Sequence, residues 1–279
     1  MAGILYLCPT PIGNLKDISE RVKETLGSVD LIAAEDTRNS LKLMNAYDIH
    51  VPMTSYHEYN KTQKAYVLLD KLKEGADIAL ISDAGTPGIS DPGEVLVRMC
   101  YEEGIRVTSL PGPCACITAL TLSGLSTRRF CFEGFLPAEK KERNEILEDL
   151  KREYRTIVLY EAPHHLKNTL SELAEVLGEE RKIALCRELT KKFEEVLKMT
   201  LKEATIFYEQ NEPKGEFVLV IEGIDRNEEK EAIKSDWLET DIVEHMNIYL
   251  EKGMDKKEAM KAVARDRGIS KSDVYKALL

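Results

Sequence analysis

Short unbroken apolar runs, each followed by a longer stretch with helical spacing, recur along the chain to about residue 225, and this alternation limits its fold most sharply. The runs cover residues 3–8, 31–34, 78–82, 106–109, 129–133, 156–160, 182–186 and 216–222. Several, such as IALISD and TIVLYE, lack the polar alternation of a strand with one wet face, so they read as strands covered on both sides. Helical stretches at 61–74, 94–103, 140–154 and 164–177 separate them. Strand and helix in alternation give an α/β architecture. A helix rich in small residues ends near residue 125, and Thr127-Arg128-Arg129 leads into a fresh strand. We therefore expect one α/β domain over 1–126 and a second over 127–225.

Beyond them a charged run at 226–235 reads as a solvated linker, and 236–279 reads as an all-helical extension. One helix is expected over 236–250 and a second over 255–267, stopped by Gly268. A third starts at Ser270, where Ser270 and Asp273 fit a capping box. The R-G-I-S joint makes the last two helix-turn-helix-like.

Charge restricts the partners. The 279 residues carry −10 overall, which excludes holding a polyanion by bulk charge, yet residues 252–279 hold eight Lys and Arg against four Asp and Glu. No apolar run reaches the roughly 18 residues of a membrane span, and the start lacks the basic segment of a secretory signal. A cytoplasmic protein is expected. Its six scattered cysteines, without a C-x-x-C pair, read as buried thiols of a reducing compartment. Cys114-x-Cys116 and His164-His165 lack common zinc spacing, so no metal is expected.

Glycine and proline gather in three loops, each after an expected strand: 9–15 (PTPIGNL), 82–93 (SDAGTPGISDPG) and 110–115 (LPGPCA). In open α/β sheets ligands sit beyond the carboxyl ends of strands, so three such loops together predict a pocket. None is G-x-G-x-x-G or a phosphate-binding P-loop, which excludes the usual dinucleotide and triphosphate sites. Glu35 and Asp36 follow the second strand and suit either a pocket or a helix cap. Ser55-Tyr56-His57-Glu58-Tyr59-Asn60 combines an imidazole with hydrogen-bonding and stacking groups and suits a substrate loop or a turn. The 161–165 and 187–191 segments end strands of the second domain, opposite the first pocket, and together they predict an interdomain cleft.

The motifs TPIGNL at 10–15, AEDTR at 34–38, SYHE at 55–58 and SDAGTPGISDPG at 82–93 resemble one family. So do PGP-x-A at 111–115, FEGFLP at 132–137, YEAPH at 160–164 and RELTK at 187–191. The family is that of the bacterial ribosomal RNA small subunit methyltransferases I, within the tetrapyrrole methylase superfamily. The resemblance implies two α/β domains of the tetrapyrrole methylase type with the cofactor in the cleft between them, and the helix-turn-helix-like tail many members carry. It implies 2′-O-methylation of a cytidine ribose in the decoding centre of 16S rRNA, acting on the 30S subunit. S-adenosyl-L-methionine would be the cofactor and a homodimer the usual assembly. Cofactor contacts would fall on Pro11, Gly13, Asp83, Ala84, Gly85, Thr86, Pro87, Gly88, Cys114, Ala115, Tyr160, Gly215, Glu216 and Phe217. Cys114 stands where serine is commoner in the family, and His165 where arginine often follows Pro-His.

Methyl transfer to an alcohol needs alignment, exclusion of water and removal of the hydroxyl proton. Glu35, Asp36, His57, Glu188 and Lys191 are the catalytic candidates. Arg38, Arg187 and His164 are candidates for RNA contact, with Tyr56 as a platform for an unpaired base. The rival readings are a corrinoid or porphyrinoid C-methyltransferase and, in another class, a ligand-sensing DNA-binding regulator.

Overall fold

The computed structural model describes residues 1–225, 237 and 240–278, so the expected linker at 226–235 lies outside the described residues. Strands β1 (Ile4–Leu7), β2 (Leu31–Ala34), β3 (Met53–Ser55), β4 (Ile78–Ile81) and β5 (Arg106–Ser109) form a parallel sheet in the order β3-β2-β4-β1-β5. The central strand β4 explains its own unbroken apolar sequence. Ala79 and Ile81 face helices α1 (Glu20–Ser28) and α2 (Thr37–Ala46), packing with Val22, Leu26 and Met44. Ile78 and Leu80 face α3 (Lys61–Lys73) and α4 (Gly93–Glu102), packing with Leu68, Leu72 and Leu96. With both faces covered, polar alternation would bury unpaired polar groups.

The second sheet runs β6-β7-β10-β8-β9 from β6 (Phe130–Phe135), β7 (Thr156–Glu161), β8 (Lys182–Arg187), β9 (Glu195–Thr200) and β10 (Phe217–Ile221). It is mixed: β6 and β7 are parallel, and the other neighbours antiparallel. Helices α6 (Lys140–Lys151), α7 (Leu166–Leu177) and α8 (Leu201–Gln210) cover one face. The other face takes α5 (Ala115–Ser123), whose Cys116, Ala119 and Leu120 pack on Val158, Ala184 and Val220. The chain therefore leaves the first sheet at β5 and crosses directly onto the second. Gly124 ends α5 in the left-handed region, φ 73°.

Helices α9 (Ile242–Glu251), α10 (Lys256–Arg267) and α11 (Lys271–Ala277) pack on one another through Met246, Val263 and Val274. Capping boxes at Asp255 with Glu258 and at Ser270 with Asp273 start the last two, and Gly268 at φ 63° separates them. Within the expected helix over 236–250, Trp237 is helical and Ile242–Glu251 forms a helix, but Thr240 and Asp241 between them are not helical, and 236, 238 and 239 lie outside the described residues. Asp241 is extended there, and its carboxylate takes the Val243 amide at 2.7 Å, so a cap interrupts the periodic run. Among the described residues no helix is long and apolar enough to cross a membrane. Nor is any group of three or more His, Cys, Asp and Glu placed to hold a metal ion.

Candidate active site

The three Gly/Pro loops are sewn into one wall at the carboxyl edge of the first sheet. Thr10 and Gly85 exchange backbone hydrogen bonds at 2.9 and 3.0 Å, and the Thr10 hydroxyl donates to the Ser82 carbonyl at 3.1 Å. The Thr86 hydroxyl donates to the Pro113 carbonyl at 2.8 Å, tying the second loop to the third. Asp91 braces the second loop from inside, accepting from the amides of Gly88 at 2.7 Å and Gly93 at 2.8 Å. Opposite stand Phe135 and Tyr160 from the ends of β6 and β7, the 188–191 turn after β8, and Glu216-Phe217 leading into β10. A cleft of about 400 Å³ lies between the two walls.

Two glycines let the walls close. A Cβ on Gly13 would stand 2.4 Å from Lys191 Cγ and 3.0 Å from the Leu189 carbonyl oxygen, so the first loop packs directly on the 188–191 turn. Gly215 adopts φ +82°, and a Cβ there would fall 2.5–2.6 Å from three atoms of the Glu188 side chain. Glu188 Oε1 takes the Lys191 ammonium at 2.9 Å and the Glu216 amide at 3.1 Å. Glu216 Oε2 takes the same ammonium at 2.9 Å. The hydrogen bond from Lys191 draws the Glu188 carboxyl below its ordinary range. Burial pulls the Lys191 ammonium downward, but its bonds to Glu188 and Glu216 outweigh burial and raise it. Lys191 is thus held between two carboxylates with its ammonium favoured over the free amine.

The paired carboxylates after β2 divide their work. Asp36 caps α2, accepting from the Arg38 amide at 2.8 Å, and binds the Arg38 guanidinium at 2.9 Å, which pulls its carboxyl down to about 2. Glu35 turns into the cleft, where burial first, and then the nearby Asp83 and Asp91 carboxylates, raise it above the usual range. The Asp83 amide and the His57 imidazole oppose that rise. His57 sits outside the lining, braced by Asn60 on its backbone amide at 2.8 Å and its Nε2 at 3.3 Å. Glu35 alone of the carboxylate candidates joins a cleft position to a carboxyl raised above its ordinary range.

Eleven of the expected site residues line this cleft: Glu35, Ala84, Gly85, Thr86, Cys114, Ala115, Tyr160, Glu188, Lys191, Glu216 and Phe217. Pro11, Gly13 and Asp83 instead line a neighbouring pocket of about 360 Å³ beside α2. Pro87 and Gly88 lie within the braced loop, and Gly215 backs Glu188. Arg38 and His164 are exposed, and Arg187 pairs with Glu195 at 3.2 Å. The expectation for Tyr56 is corrected. Its ring is 1% exposed, packed among Leu68, Leu96 and Cys100, and its hydroxyl donates to the Pro92 carbonyl at 3.0 Å. A buried ring cannot stack on a base. Tyr56→Phe should cost about 1–2 kcal/mol of stability by orphaning that carbonyl, read as a lower denaturant midpoint, with cofactor affinity unchanged.

The sequence reading gave no individual role to Asp91, Glu161, Phe135 or Tyr59, although Tyr59 stands in the 55–60 substrate-loop segment and Glu161 in the 161–165 segment. Asp91 and Glu161 lie inside quoted motifs, but only their loop geometry reveals their roles. Glu161 is buried and takes the Thr169 hydroxyl at 2.5 Å and its neighbour's amide at 2.8 Å. Tyr59, 98% exposed three residues beyond Tyr56, is the aromatic ring that this loop offers to solvent.

Residues 5–205 match the model of the Tetrapyrrole (Corrin/Porphyrin) Methylases. The chain is similar to Ribosomal RNA small subunit methyltransferase I of Bacillus subtilis, 48% identical over 99% of this chain and 94% of the relative. It is also similar to the protein of that name from Escherichia coli O157:H7, 46% identical over 99% and 95%. Among solved structures, diphthine synthase aligns at TM-score 0.61 and 13% identity, over 82% of this chain and 94% of that one. Uroporphyrin-III C-methyl transferase from Thermus thermophilus complexed with S-adenosyl homocysteine aligns at TM-score 0.57 and 16% identity, over 79% and 97%. These two likenesses concern the fold.

Proposed function

The chain belongs to the ribosomal RNA small subunit methyltransferase I family of tetrapyrrole methylases, and we propose that it transfers a methyl group from S-adenosylmethionine to the 2′-hydroxyl of a cytidine in the decoding centre of 16S rRNA. The observation that carries this reading is that the family's motif loops other than 55–58, together with 216–217, reach one cleft from both sheets.

The donor set fits the cofactor. Glu35, Asp91, Glu188 and Glu216 give the cleft a carboxylate lining for a cationic sulfonium, while Ile12, Phe217 and Val218 provide apolar surface. Gly85, at φ +86°, brings backbone up to the cavity without a side chain. Residues 84–86, Cys114-Ala115, Tyr160 and 216–217 would hold the cofactor, which when bound supplies an electrophilic methyl group.

Glu35 accepts the proton of the attacking hydroxyl. The Lys191 clamp holds the second wall against Gly13, aligning the two sides and keeping water out. Arg38, Arg187 and His164 hold phosphates of the target strand, and Tyr59 takes the stacking role that Tyr56 cannot. Tyr59→Ala should weaken RNA affinity about tenfold, the worth of roughly one base–aromatic stack, and leave S-adenosylhomocysteine binding untouched. An unchanged RNA affinity would remove Tyr59 from the site.

The target is the assembled 30S subunit. At −10 overall, the protein binds free RNA poorly, whereas a folded subunit presents one shaped site to a local basic patch. The enzyme works as a homodimer in the cytoplasm. Nucleoside mass spectrometry of treated subunits tests the chemistry: 2′-O-methylcytidine in proportion to subunits is expected, and a base-methylated nucleoside would overturn it. Equal rates on naked rRNA and 30S subunits would overturn the substrate form.

A further inference from the structure

We propose that Cys114 and Cys116 are a reversible dithiol switch in the wall of the cleft, which a hydroperoxide oxidises to a disulfide, weakening cofactor binding. The effect on binding rests on the cofactor reading above; the chemistry of the pair does not.

The two sulfurs stand 3.4 Å apart, within reach of bond formation after a small rotation. Cys114 is partly exposed and lines the cleft, whereas Cys116 is 5% exposed beneath it. The pair sits at the start of α5, with Cys114 as the residue before the first helical turn. There the Cys116 sulfhydryl, and then the amides of Ile117 and Cys116, favour a thiolate on Cys114 against the opposing effect of burial. Cys116 moves the other way, raised by sharing its proton with Cys114. Cys114 is thus both the reachable and the more acidic thiol of the pair, hydrogen-bonded to the buried one.

No other cysteine combines these features. Cys8, Cys100, Cys131 and Cys186 are buried, and burial pushes their thiols up to about 12, 11, 12 and 11. They are inert to mild oxidants.

The chemistry balances in two steps. The Cys114 thiolate attacks the hydroperoxide, an S–O bond forms, the O–O bond breaks, and the leaving oxygen departs as alcohol or water after protonation. Cys116 sulfur then attacks Cys114 sulfur. The S–S bond forms, the S–O bond breaks, and hydroxide leaves with the Cys116 proton as water. Each sulfur is oxidised by one electron and the peroxide is reduced by two. A bridge across one intervening residue closes a small, strained ring, which a dithiol readily reopens.

Closure draws Cys114 inward and turns the backbone on which the wall depends. The Cys114 carbonyl accepts from the Thr118 hydroxyl at 2.9 Å, the Cys116 amide donates to the Tyr160 hydroxyl at 3.2 Å, and the Pro113 carbonyl holds Thr86 at 2.8 Å. Each bond anchors a residue that lines the cleft, Cys114, Tyr160 or Thr86, so the bridge distorts both Ala115 and Tyr160.

The test is titration of the reduced full-length protein with hydrogen peroxide, followed by peptide mass spectrometry and S-adenosylhomocysteine binding. We expect a 2 Da loss, about that of two hydrogens, confined to the peptide bearing Cys114 and Cys116, an affinity about tenfold weaker, and recovery of both with dithiothreitol. Cys116→Ala should bind S-adenosylhomocysteine as the parent does, show no such loss, and yield a dimedone adduct on Cys114, marking the sulfenic acid. The proposal is overturned if the mass loss is absent, or if it forms with affinity unchanged. If the reduced protein binds no S-adenosylhomocysteine, the cofactor reading fails and the switch with it, while the mass change still reports the dithiol separately.

Discussion

Glu35→Gln is expected to lower methyl transfer by about two to three orders of magnitude, the usual worth of a positioned general base, while S-adenosylhomocysteine affinity stays within a few-fold of the parent. The substitution keeps the side chain's shape and an oxygen for the Asp83 amide, which Glu35 Oε2 accepts at 3.4 Å, so it removes basicity and little else. The pH dependence follows from the sign of the shift. Burial, with Asp83 and Asp91, raises Glu35 above the ordinary carboxylate range. The proton acceptor must be ionised, so the rate should rise with pH through that raised value, and the Gln variant should lose this limb.

Stability should move the other way. Between the unfolded and folded values of Glu35 the native state binds more protons, so its contribution is present at low pH and lost as pH rises through the folded value. At neutral pH the ionised Glu35 is a cost to the fold, and Glu35→Gln should therefore raise the thermal midpoint. A variant both slow and less stable would mean that the side chain is structural.

Gly215→Ala is expected to abolish measurable cofactor binding and to cost about 2–4 kcal/mol of stability, combining backbone strain with loss of a charged network. The backbone is at φ +82°, and the new Cβ would occupy the place of Glu188 Cγ, Cδ and Oε1. Moving Glu188 breaks its bonds to Lys191 and the Glu216 amide, and with them the contact of the 188–191 turn against Gly13. Gly104→Ala is the control. It shares the left-handed backbone, φ +67°, but its Cβ meets nothing within 4 Å. It should cost only about 1–2 kcal/mol for strain and leave binding intact. Equal effects from the two would assign the loss to backbone strain and remove the Glu188 network from the account.

Much of the fold was legible because burial on both faces leaves a direct trace in sequence. Residues 31–34 are a strand with the bounds their apolar run predicts, and 78–82 differs by one residue, while the edge strand at 106–109 (RVTS) keeps its expected bounds with exposed ends. The missed strands are edges: β3 is three residues long, and β9 pairs only with β8, carrying exposed Glu195 and Lys198. A short strand such as β3, or an edge strand with charged residues on its wet side such as β9, leaves a weaker trace. Helices α1 and α8 went unmarked although Ser19 and Thr200 cap them, because a cap announces a helix only once its periodic face is recognised, and α2 was foreseen only through the cap that Glu35-Asp36 offers.

The site was legible as a set of loops and not as a set of roles. The division of Glu35 from Asp36 turns on which carboxylate meets the first amides of α2, which adjacent residues in a motif do not disclose. Tyr56 and Tyr59 occupy one loop and differ in exposure from 1% to 98%, a distinction made by packing against α3 and α4 and not by residue type. The functions of Gly13 and Gly215 depend on side chains nearly 180 and 27 residues away, which only the closed cleft brings together.

We expect this cleft to carry a methyl group from S-adenosylmethionine to ribosomal RNA. The most direct test is transfer of radiolabelled methyl from that cofactor to small subunits prepared from a strain lacking the modification. We predict label in 16S rRNA alone, mapping to the ribose of one cytidine, at a rate that Glu35→Gln reduces. Bound cofactor with no label in RNA would contradict the account and return the substrate to a small molecule.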